Sequence, residues 1–357
     1  MKKYIILLSI VFYTVATSQV ILNENFENYT LGNLGTDPTG VMPGQGGWLT
    51  TLNTKDIKTN DSFQIVNVPV KNKVLQLSLT GSKRDTTSDA RASLTITNLM
   101  DEKRTSGNNV IKFELDFYTG GAYQTTQHTG QGFYLGHDDF GKPYSGLFGI
   151  SIDGKTGTVR AYVYDGKLNP IVYLDNSQNN VYPIVPFNTW ITFVVYLDYN
   201  NKMAYFETPF FNSVVKAGFL NQSTLTDLIK HYKPIIIGMS ISNIYIDGNQ
   251  YFDRKYDNIK ITALNAVPPH ILSAESFLAQ KFNLYPNPAT NIVNITNGEN
   301  LLVQQIAVYD TAGKLITTEN YNNQTEIQLN VEHLASGTYL LHLKTNEGTA
   351  VKKLVKK

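Results

Sequence analysis

The carboxylates of one short segment are the first residues whose types and spacing could do chemistry. In residues 110–118, VIKFELDFY, apolar and polar side chains alternate, so Glu114, Asp116 and Tyr118 share one face of a predicted strand. Two neighbouring carboxylates suit retaining glycoside hydrolysis, which needs a nucleophile and an acid/base about 5–5.5 Å apart. The simpler alternative, which the sequence favours, is that both carboxylates are solvated and that Lys112 is their ion-pair partner.

A second group of residues could recognise sugars, because flat aromatic rings stack on sugar rings and polar side chains bind hydroxyl groups. Arg160, Tyr162 and Tyr164 alternate with apolar residues and therefore share one strand face. Trp48 follows a glycine-rich stretch and is either exposed in a loop or buried at the edge of a sandwich. If the strands that carry these residues are neighbours, they form one tyrosine-rich surface; the alternative is that tyrosines only cover an extracellular sheet. The candidate ligand-binding residues are Trp48, Glu114, Asp116, Tyr118, Arg160, Tyr162, Tyr164 and Tyr196.

The run His137-Asp138-Asp139 is the densest cluster of metal-ligating residue types. Carboxylate oxygens suit Ca²⁺, but adjacent residues of a strand point in opposite directions, so both could bind one ion only from a loop. We therefore expect a hydrated turn at this position. The sequence contains no Gly-x-Ser-x-Gly, His-Glu-x-x-His or phosphate-loop motif.

Strands must position these candidates, because the chain consists of many short alternating segments separated by turns such as Asp153-Gly154. Hydrophobic residues make up 42% of the 357 residues and charged residues only 17%, which is typical of a folded chain with a polar, weakly charged surface. A net charge of +1 argues against nucleic-acid binding, and the absence of cysteine excludes disulfides and Cys-bound metals. The prediction is an all-β protein, an antiparallel jelly-roll sandwich followed by a small immunoglobulin-like β-sandwich.

The two ends of the chain indicate how the protein is organised for export. Residues 1–18 have the pattern of a secretory signal peptide, with two lysines before an apolar stretch and small residues before a cleavage site at Gln19. A proline pair, Pro268-Pro269, interrupts the strand pattern and predicts a linker over 265–281. The linker separates a jelly-roll domain at 19–264 from a C-terminal domain at 282–357.

The C-terminal domain carries a Tyr-Pro-Asn-Pro start, a Gly-Lys turn, a Gly-x-Tyr strand and a lysine tail. It resembles the type A C-terminal sorting domain of the type IX secretion system of Bacteroidetes. The resemblance implies export by that machinery, removal of the domain by a sortase-like peptidase, and release or attachment to the cell surface. The motif residues are Tyr285, Pro286, Asn287, Pro288, Gly313, Lys314, Gly337, Tyr339, Lys352, Lys353, Lys356 and Lys357.

The segments 25–29, 187–201 and 255–262 carry a second resemblance, to concanavalin-like and laminin-G-like jelly rolls. It implies that Trp190 anchors the core. Retaining glucanases of this fold carry a second Glu after the Glu-x-Asp pair, and here that position holds Tyr118 or, with a bulge, a threonine. The acid/base of that family is therefore missing.

Related carbohydrate-binding jelly rolls hold a structural Ca²⁺ between an early Glu and a late Asp. The resemblance therefore implies a calcium site at Glu27 and Asp257, which lie near the two ends of the jelly-roll domain.

These features favour a secreted or surface-attached, non-catalytic binding or adhesion protein whose ligand is an extracellular glycan. Two alternatives stay open: a polysaccharide hydrolase or lyase on the same fold, and a structural surface protein.

Overall fold

The structure is a computed structural model. Three sequence predictions lie outside the residues that it describes: the signal peptide up to residue 17, the acidic pair Asp138-Asp139, and Gly313 of the sorting-domain motif. The described residues are 18–53, 60–80, 88–122, 130–137, 146–174, 182–211, 213–243, 251–272, 278–279, 281–297, 301–310, 314–346 and 348–357.

The described residues form strands for most of their length, as their alternating pattern predicts. They divide into two compact units, one formed by the chain up to 204 together with 216–266, the other by 205–215 together with 267–357. None of the described helices is long and apolar enough to cross a membrane.

The first sixteen strands are β1 (Gln19–Glu24), β2 (Gly32–Asn33), β3 (Leu49–Asn53), β4 (Phe63–Val68), β5 (Asn72–Thr80), β6 (Ser88–Thr95), β7 (Val110–Tyr118), β8 (Gly130–Gly136), β9 (Gly146–Asp153), β10 (Val159–Val163), β11 (Ile171–Val172), β12 (Trp190–Asp198), β13 (Met203–Thr208), β14 (Ser213–Gly218), β15 (Ile236–Asn243) and β16 (Tyr251–Leu264). The α-helices are α1 (Thr97–Lys103), α2 (Leu228–His231) and α3 (Pro269–Leu272).

These strands form two sheets with antiparallel pairing. A nine-stranded sheet has the order β14-β13-β12-β7-β16-β5-β4-β2, and β1 pairs with β16. A seven-stranded sheet has the order β11-β10-β9-β8-β15-β6-β3. The prediction of an all-β, antiparallel fold is confirmed.

An aromatic core joins the inner faces of the two sheets. Phe113 of β7 lies 5.9 Å from the ring of Phe133 on β8 and 5.3 Å from Phe148 on β9, and Phe193 of β12 lies 5.5 Å from Phe133. Rings at these separations pack well in tilted and edge-to-face arrangements. The inward positions of each strand therefore belong to the core, and the alternate positions form the two outer faces on which ligands can bind.

The C-terminal strands are β17 (Phe282–Tyr285), β18 (Ile292–Asn297), β19 (Val303–Asp310), β20 (Leu315–Gln324), β21 (Glu326–Asn330), β22 (Gly337–Thr345) and β23 (Gly348–Lys356). They form a three-stranded sheet, β17-β18-β21, and a four-stranded sheet, β20-β19-β22-β23. Their alternate apolar residues, among them Val293, Ile306, Leu329 and Leu341, are buried in one core.

Candidate ligand-binding site

Two tyrosine rings lie flat on the outer face of the seven-stranded sheet. Tyr162 of β10 covers Gly149 of β9, and Tyr134 of β8 covers Gly238 of β15, so a Cβ atom at either glycine would overlap the ring above it. Both tyrosines are half-buried, since one ring face rests on the backbone. We call these four residues the tyrosine platform.

The pairing of the strands places the platform in a straight row. Tyr162 pairs with Gly149, Gly149 with Tyr134, and Tyr134 with Gly238. Two strand spacings of 4.7–4.9 Å separate the two tyrosines, so the rings lie about 10 Å apart along the row. Because a glycine lies beneath each ring, both rings can lie against the sheet, and the face presents two aromatic surfaces in one row.

A second row runs beside the platform and is lined by polar side chains. Arg160 pairs with Ser151, and Ser240 pairs with Arg91, with Gly132 between the two serines. The row therefore offers hydroxyl groups along its length and a guanidinium at each end. We call these five residues the arginine row.

The two guanidiniums have different surroundings. Nη2 of Arg91 lies 3.2 Å from Oδ2 of Asp89. Burial raises the pKa of Asp89, and the charge of Arg91 opposes that increase. The guanidinium of Arg160 lies over the ring of Tyr182 at 5.3 Å instead.

The structure assigns the sequence candidates to two different sheets. Arg160 and Tyr162 share the predicted face of β10, but Tyr164 follows β10 and packs against His137 and Tyr232, at ring distances of 5.4 and 5.9 Å. Tyr118 and Tyr196 belong to the nine-stranded sheet. A single tyrosine surface that unites all of them is therefore wrong, because these strands are not neighbours.

Two further candidates present no ring to a ligand. Trp48 is 0% exposed, and its indole packs 6.0 Å from the ring of Phe26, so the buried alternative applies. Tyr196 is 1% exposed even though it lies on the polar side of β12.

Trp190 does not lie in the core, where the sequence predicted it. It lies on the outer face of the nine-stranded sheet, where its ring is 5.3 Å from Tyr118.

The carboxylates of β7 are already paired. Oε1 of Glu114 lies 2.7 Å from Nζ of Lys112. Asp116 binds the ammonium of Lys71 and accepts hydrogen bonds from Thr192 Oγ1 at 2.5 Å and Asn258 Nδ2 at 2.8 Å. Burial raises the pKa of Asp116, but these donors outweigh burial and hold it below its usual value.

Asp257 faces Asp116 across β16 and β7, next to a bulge at which Asn258 has a φ of 50°. Its side chain is only 4% exposed, and Lys71 Nζ lies 3.8 Å from its Oδ2. Burial raises the pKa of Asp257 to about 6, and the nearby charges of Asp116 and Glu27 add to this effect. We call Lys71, Asp116 and Asp257 the lysine–aspartate cluster.

The two predicted calcium ligands, Asp257 and Glu27, meet only some of the requirements of a Ca²⁺ site. The Oδ1 atom of Asp257 is buried and has no hydrogen-bond partner among the described residues, which is the environment of a ligand atom. Glu27 accepts a hydrogen bond from the backbone N–H of Lys73, and Lys73 Nζ donates to the carbonyl oxygens of Glu27 and Tyr29 at 2.9 and 2.7 Å. No group of three or more His, Asp or Glu side chains within the described ranges is arranged to hold a metal.

The first sorting-domain motif and the lysine tail lie at opposite ends of the sequence of the C-terminal domain and are bound to each other. Asn287 accepts a hydrogen bond from the N–H of Val355 and donates to the carbonyl of Lys353, so the start of the motif is bound to the tail. Tyr339 donates to the carbonyl of Ala335 at 2.9 Å. The remaining described motif residues are Tyr285, Pro286, Pro288, Lys314, Gly337, Lys352, Lys356 and Lys357.

Sequence reasoning missed the platform residues Tyr134, Gly149 and Gly238. The only local signal for the platform is that these three residues, a tyrosine and two glycines, occupy outward-facing positions of alternating strands. Which tyrosine covers which glycine depends on pairing between strands that are distant in the sequence, such as β8 with β15.

Solved structures similar to this chain include the carbohydrate recognition domain of Emp47p, at 12% identity over 68% of this chain and 98% of that chain, with a TM-score of 0.35. An alginate lyase of polysaccharide lyase family 7 matches at 11% identity over 58% and 86%, with a TM-score of 0.36. A botulinum neurotoxin type C structure matches at 8% identity over 93% and 72%, with a TM-score of 0.40. No curated protein sequence matches the chain.

The family described as the secretion system C-terminal sorting domain matches residues 283–357. The match agrees with the motifs at Tyr285–Pro288 and in the lysine tail. This segment is a type IX sorting domain, and the protein that carries it is exported, to be secreted or attached to the cell surface.

Proposed function

We propose that the protein is an exported, non-catalytic glycan-binding protein and that the tyrosine platform is its binding face. The observation that carries the proposal is the pair of tyrosine rings that lie flat over Gly149 and Gly238 in one row of the seven-stranded sheet. Sugars have an apolar C–H face and a rim of hydroxyl groups. The platform offers two flat apolar surfaces, and the arginine row beside it offers polar partners.

The rigidity of the face favours binding. The rings of Tyr134 and Tyr162 rest on strand backbone, so little side-chain freedom remains to be lost when a ligand stacks on them. Rigid aromatic side chains with a polar tip supply large contact areas at a low entropic cost. Export delivers this face to the outside of the cell, where polysaccharides are available as ligands and as surfaces for adhesion.

Catalysis on a polysaccharide is the second candidate, and one observation favours it. The lysine–aspartate cluster places a carboxyl group with a raised pKa opposite one with a lowered pKa, a combination that acid/base pairs use. However, the side chains of Asp116 and Asp257 are only 13% and 4% exposed, which leaves a sugar little access to either oxygen. A binding function therefore has the better support.

A glycan array identifies the oligosaccharide to use, and titration calorimetry with that oligosaccharide tests the site in the full chain. Tyr134→Ala and Tyr162→Ala should each raise the Kd about tenfold or more, because a central aromatic contact is worth at least 1–2 kcal/mol. Tyr251→Ala removes a tyrosine that is 59% exposed on the other sheet and should leave the Kd unchanged. Unchanged affinity in both platform variants would contradict the proposal.

A glycine substitution tests ring orientation without removing the ring. Gly238→Ala places a methyl group where the ring of Tyr134 lies, so the ring must move and affinity should fall while the tyrosine is retained. Gly121→Ala is the matched control, because nothing lies within 4 Å of a Cβ atom there. The same samples are analysed for new reducing or unsaturated chain ends, whose appearance would favour the catalytic alternative.

A further inference from the structure

We infer that the ligand of the tyrosine platform is an acidic polysaccharide whose anionic groups bind the guanidinium of Arg160. This inference rests on the proposed glycan-binding function and adds the chemical class of the ligand. Three features of the outer face carry it: the environment of Arg160, the distribution of charge over two rows, and the length of those rows.

The surroundings of Arg160 position its guanidinium so that it can bind a ligand anion. Its guanidinium lies over the ring of Tyr182, which itself packs against Tyr173 at a ring distance of 5.0 Å. Among the residues that the structure describes, Arg160 has no carboxylate partner. A guanidinium fixed by an aromatic ring keeps its planar fork of donors free, and that fork matches a carboxylate or sulfate in two-point geometry.

The charge of the face has one sign where a glycan would lie. The platform row and the arginine row contain two guanidiniums and no carboxylate. Asp89 and the buried Asp153 lie outside both rows, and Asp89 pairs with Arg91. Among the described residues, Arg160 is therefore the guanidinium of the two rows that has no carboxylate partner. A neutral glycan would leave this charge unused, whereas an anionic group on a sugar would neutralise it.

The dimensions of the face indicate a polymer. Arg160 and Arg91 are four strands apart, which corresponds to about 19 Å at 4.7–4.9 Å per strand. This length exceeds a single sugar and accommodates several consecutive units. An acidic polysaccharide can therefore stack on both tyrosines while it places one anionic group at Arg160.

The test compares each acidic polymer with a neutral form of the same chain. Alginate and polygalacturonate are compared with their carboxyl-reduced forms, and dextran sulfate with dextran, by titration against the full protein. We expect at least one acidic polymer to bind tenfold or more tightly than its neutral form. The carboxylate and sulfate pairs distinguish the two sources of negative charge.

Three variants assign this preference to the arginine row. Arg160→Ala should reduce the acidic-over-neutral ratio of affinities to near one, and Arg160→Lys should restore part of it. Asp89→Asn should raise affinity for the acidic polymer, because it releases Arg91 from its ion pair. Arg104→Ala, on a side chain outside both rows, should leave the ratio unchanged.

The outcomes distinguish a failure of this inference from a failure of the proposed function on which it rests. Equal binding of acidic and neutral forms that still depends on Tyr162 overturns the acidic ligand and leaves glycan binding intact. An acidic preference that Arg160→Ala does not reduce also overturns the inference. If no polymer binds in either form and the glycan array is silent, both the inference and the proposed function fail.

Discussion

At the scale of single residues, Asp257 and Asp116 show how neighbours decide the charge of a carboxyl group. The two residues face each other across paired strands, yet Asp116 accepts from three side-chain donors, whereas only the backbone of Asn258 and Lys71, at 3.8 Å, oppose the effect of burial on Asp257. Buried carboxylates keep their charge when hydrogen bonds compensate for lost water and gain a proton when they do not. The cluster therefore contains one strongly held anion and one carboxyl group that titrates near pH 6.

This contrast predicts an unusual pH dependence of stability. The folded-state pKa of Asp257, about 6, exceeds the unfolded value of 3.8, so its contribution is complete below about pH 4 and is lost as the pH rises through 6. The loss is at most about 3 kcal/mol, at 1.36 kcal/mol per pKa unit, because screening by solvent reduces it. Asp257→Asn removes the titration, so the fall in Tm between pH 4 and 7.5, measured in EDTA, should be smaller than in the wild type.

Asp101→Asn is the control for this experiment, because the Asp101 side chain is 58% exposed. Its pH profile should parallel that of the wild type. Parallel profiles for Asp257→Asn and the wild type would remove the assignment of the transition to Asp257.

At the scale of elements, the alternation of apolar and polar residues predicted correctly which side chains share one face of a strand. It did not predict which strands are neighbours in a sheet. Glu114, Asp116 and Tyr118 do share one face of β7, and Arg160 and Tyr162 share one face of β10. Alternation depends only on residues that are close together in the sequence, so it can be recognised from the sequence alone. Which strands pair is a long-range property, and for that reason the platform of Tyr134 over Gly238 was missed.

The first and last strands of the jelly roll carry our calcium prediction. β1 pairs with β16, the strand that carries Asp257, while Glu27 lies just beyond β1. We propose that Ca²⁺ binds Asp257 Oδ1 and Glu27, with Lys73 moving away from the carbonyl oxygens that it now binds. A cation that binds only the folded state stabilises it by about 2.7 kcal/mol at 100 times its Kd.

The measurement is thermal unfolding of the full chain with excess Ca²⁺ and with EDTA. Tm should be higher with Ca²⁺, and Asp257→Ala should abolish the difference, whereas Asp101→Ala should preserve it. Identical melting temperatures of the wild type in Ca²⁺ and EDTA would exclude the site.

At the scale of the whole molecule, the proposed glycan-binding face and the sorting domain belong to separate parts of the sequence. The sorting domain could be predicted from sequence because its motifs are consecutive and local, and the family match at 283–357 confirms it. The proposed binding face could not be predicted in the same way. It is assembled from β6, β8, β9, β10 and β15, which are scattered over about 150 residues of chain.

The last prediction concerns the lysine tail, which has a structural role as well as a charge. Residues 352–356 pair with 337–341 as the outer strand of the four-stranded sheet, and Leu354 is fully buried. Deletion of 352–357 removes this pairing together with four lysines, so we expect the truncated protein to remain in the periplasm. Replacing the four lysines by glutamine keeps the strand and tests the charge alone, with Lys344→Gln as the control on the neighbouring strand.

Cell fractionation with protease accessibility measures delivery, and intact-mass analysis of surface material measures processing. Wild-type material should begin near Gln19 and end within 265–281, because we expect both the signal peptide and the sorting domain to be removed. If the glutamine variant is delivered and the deletion is not, the tail acts through the fold of β23, and if neither is delivered, its charge is required. Normal surface delivery of the truncated chain would show that export does not need the tail, and the sorting signal would then lie in the preceding strands.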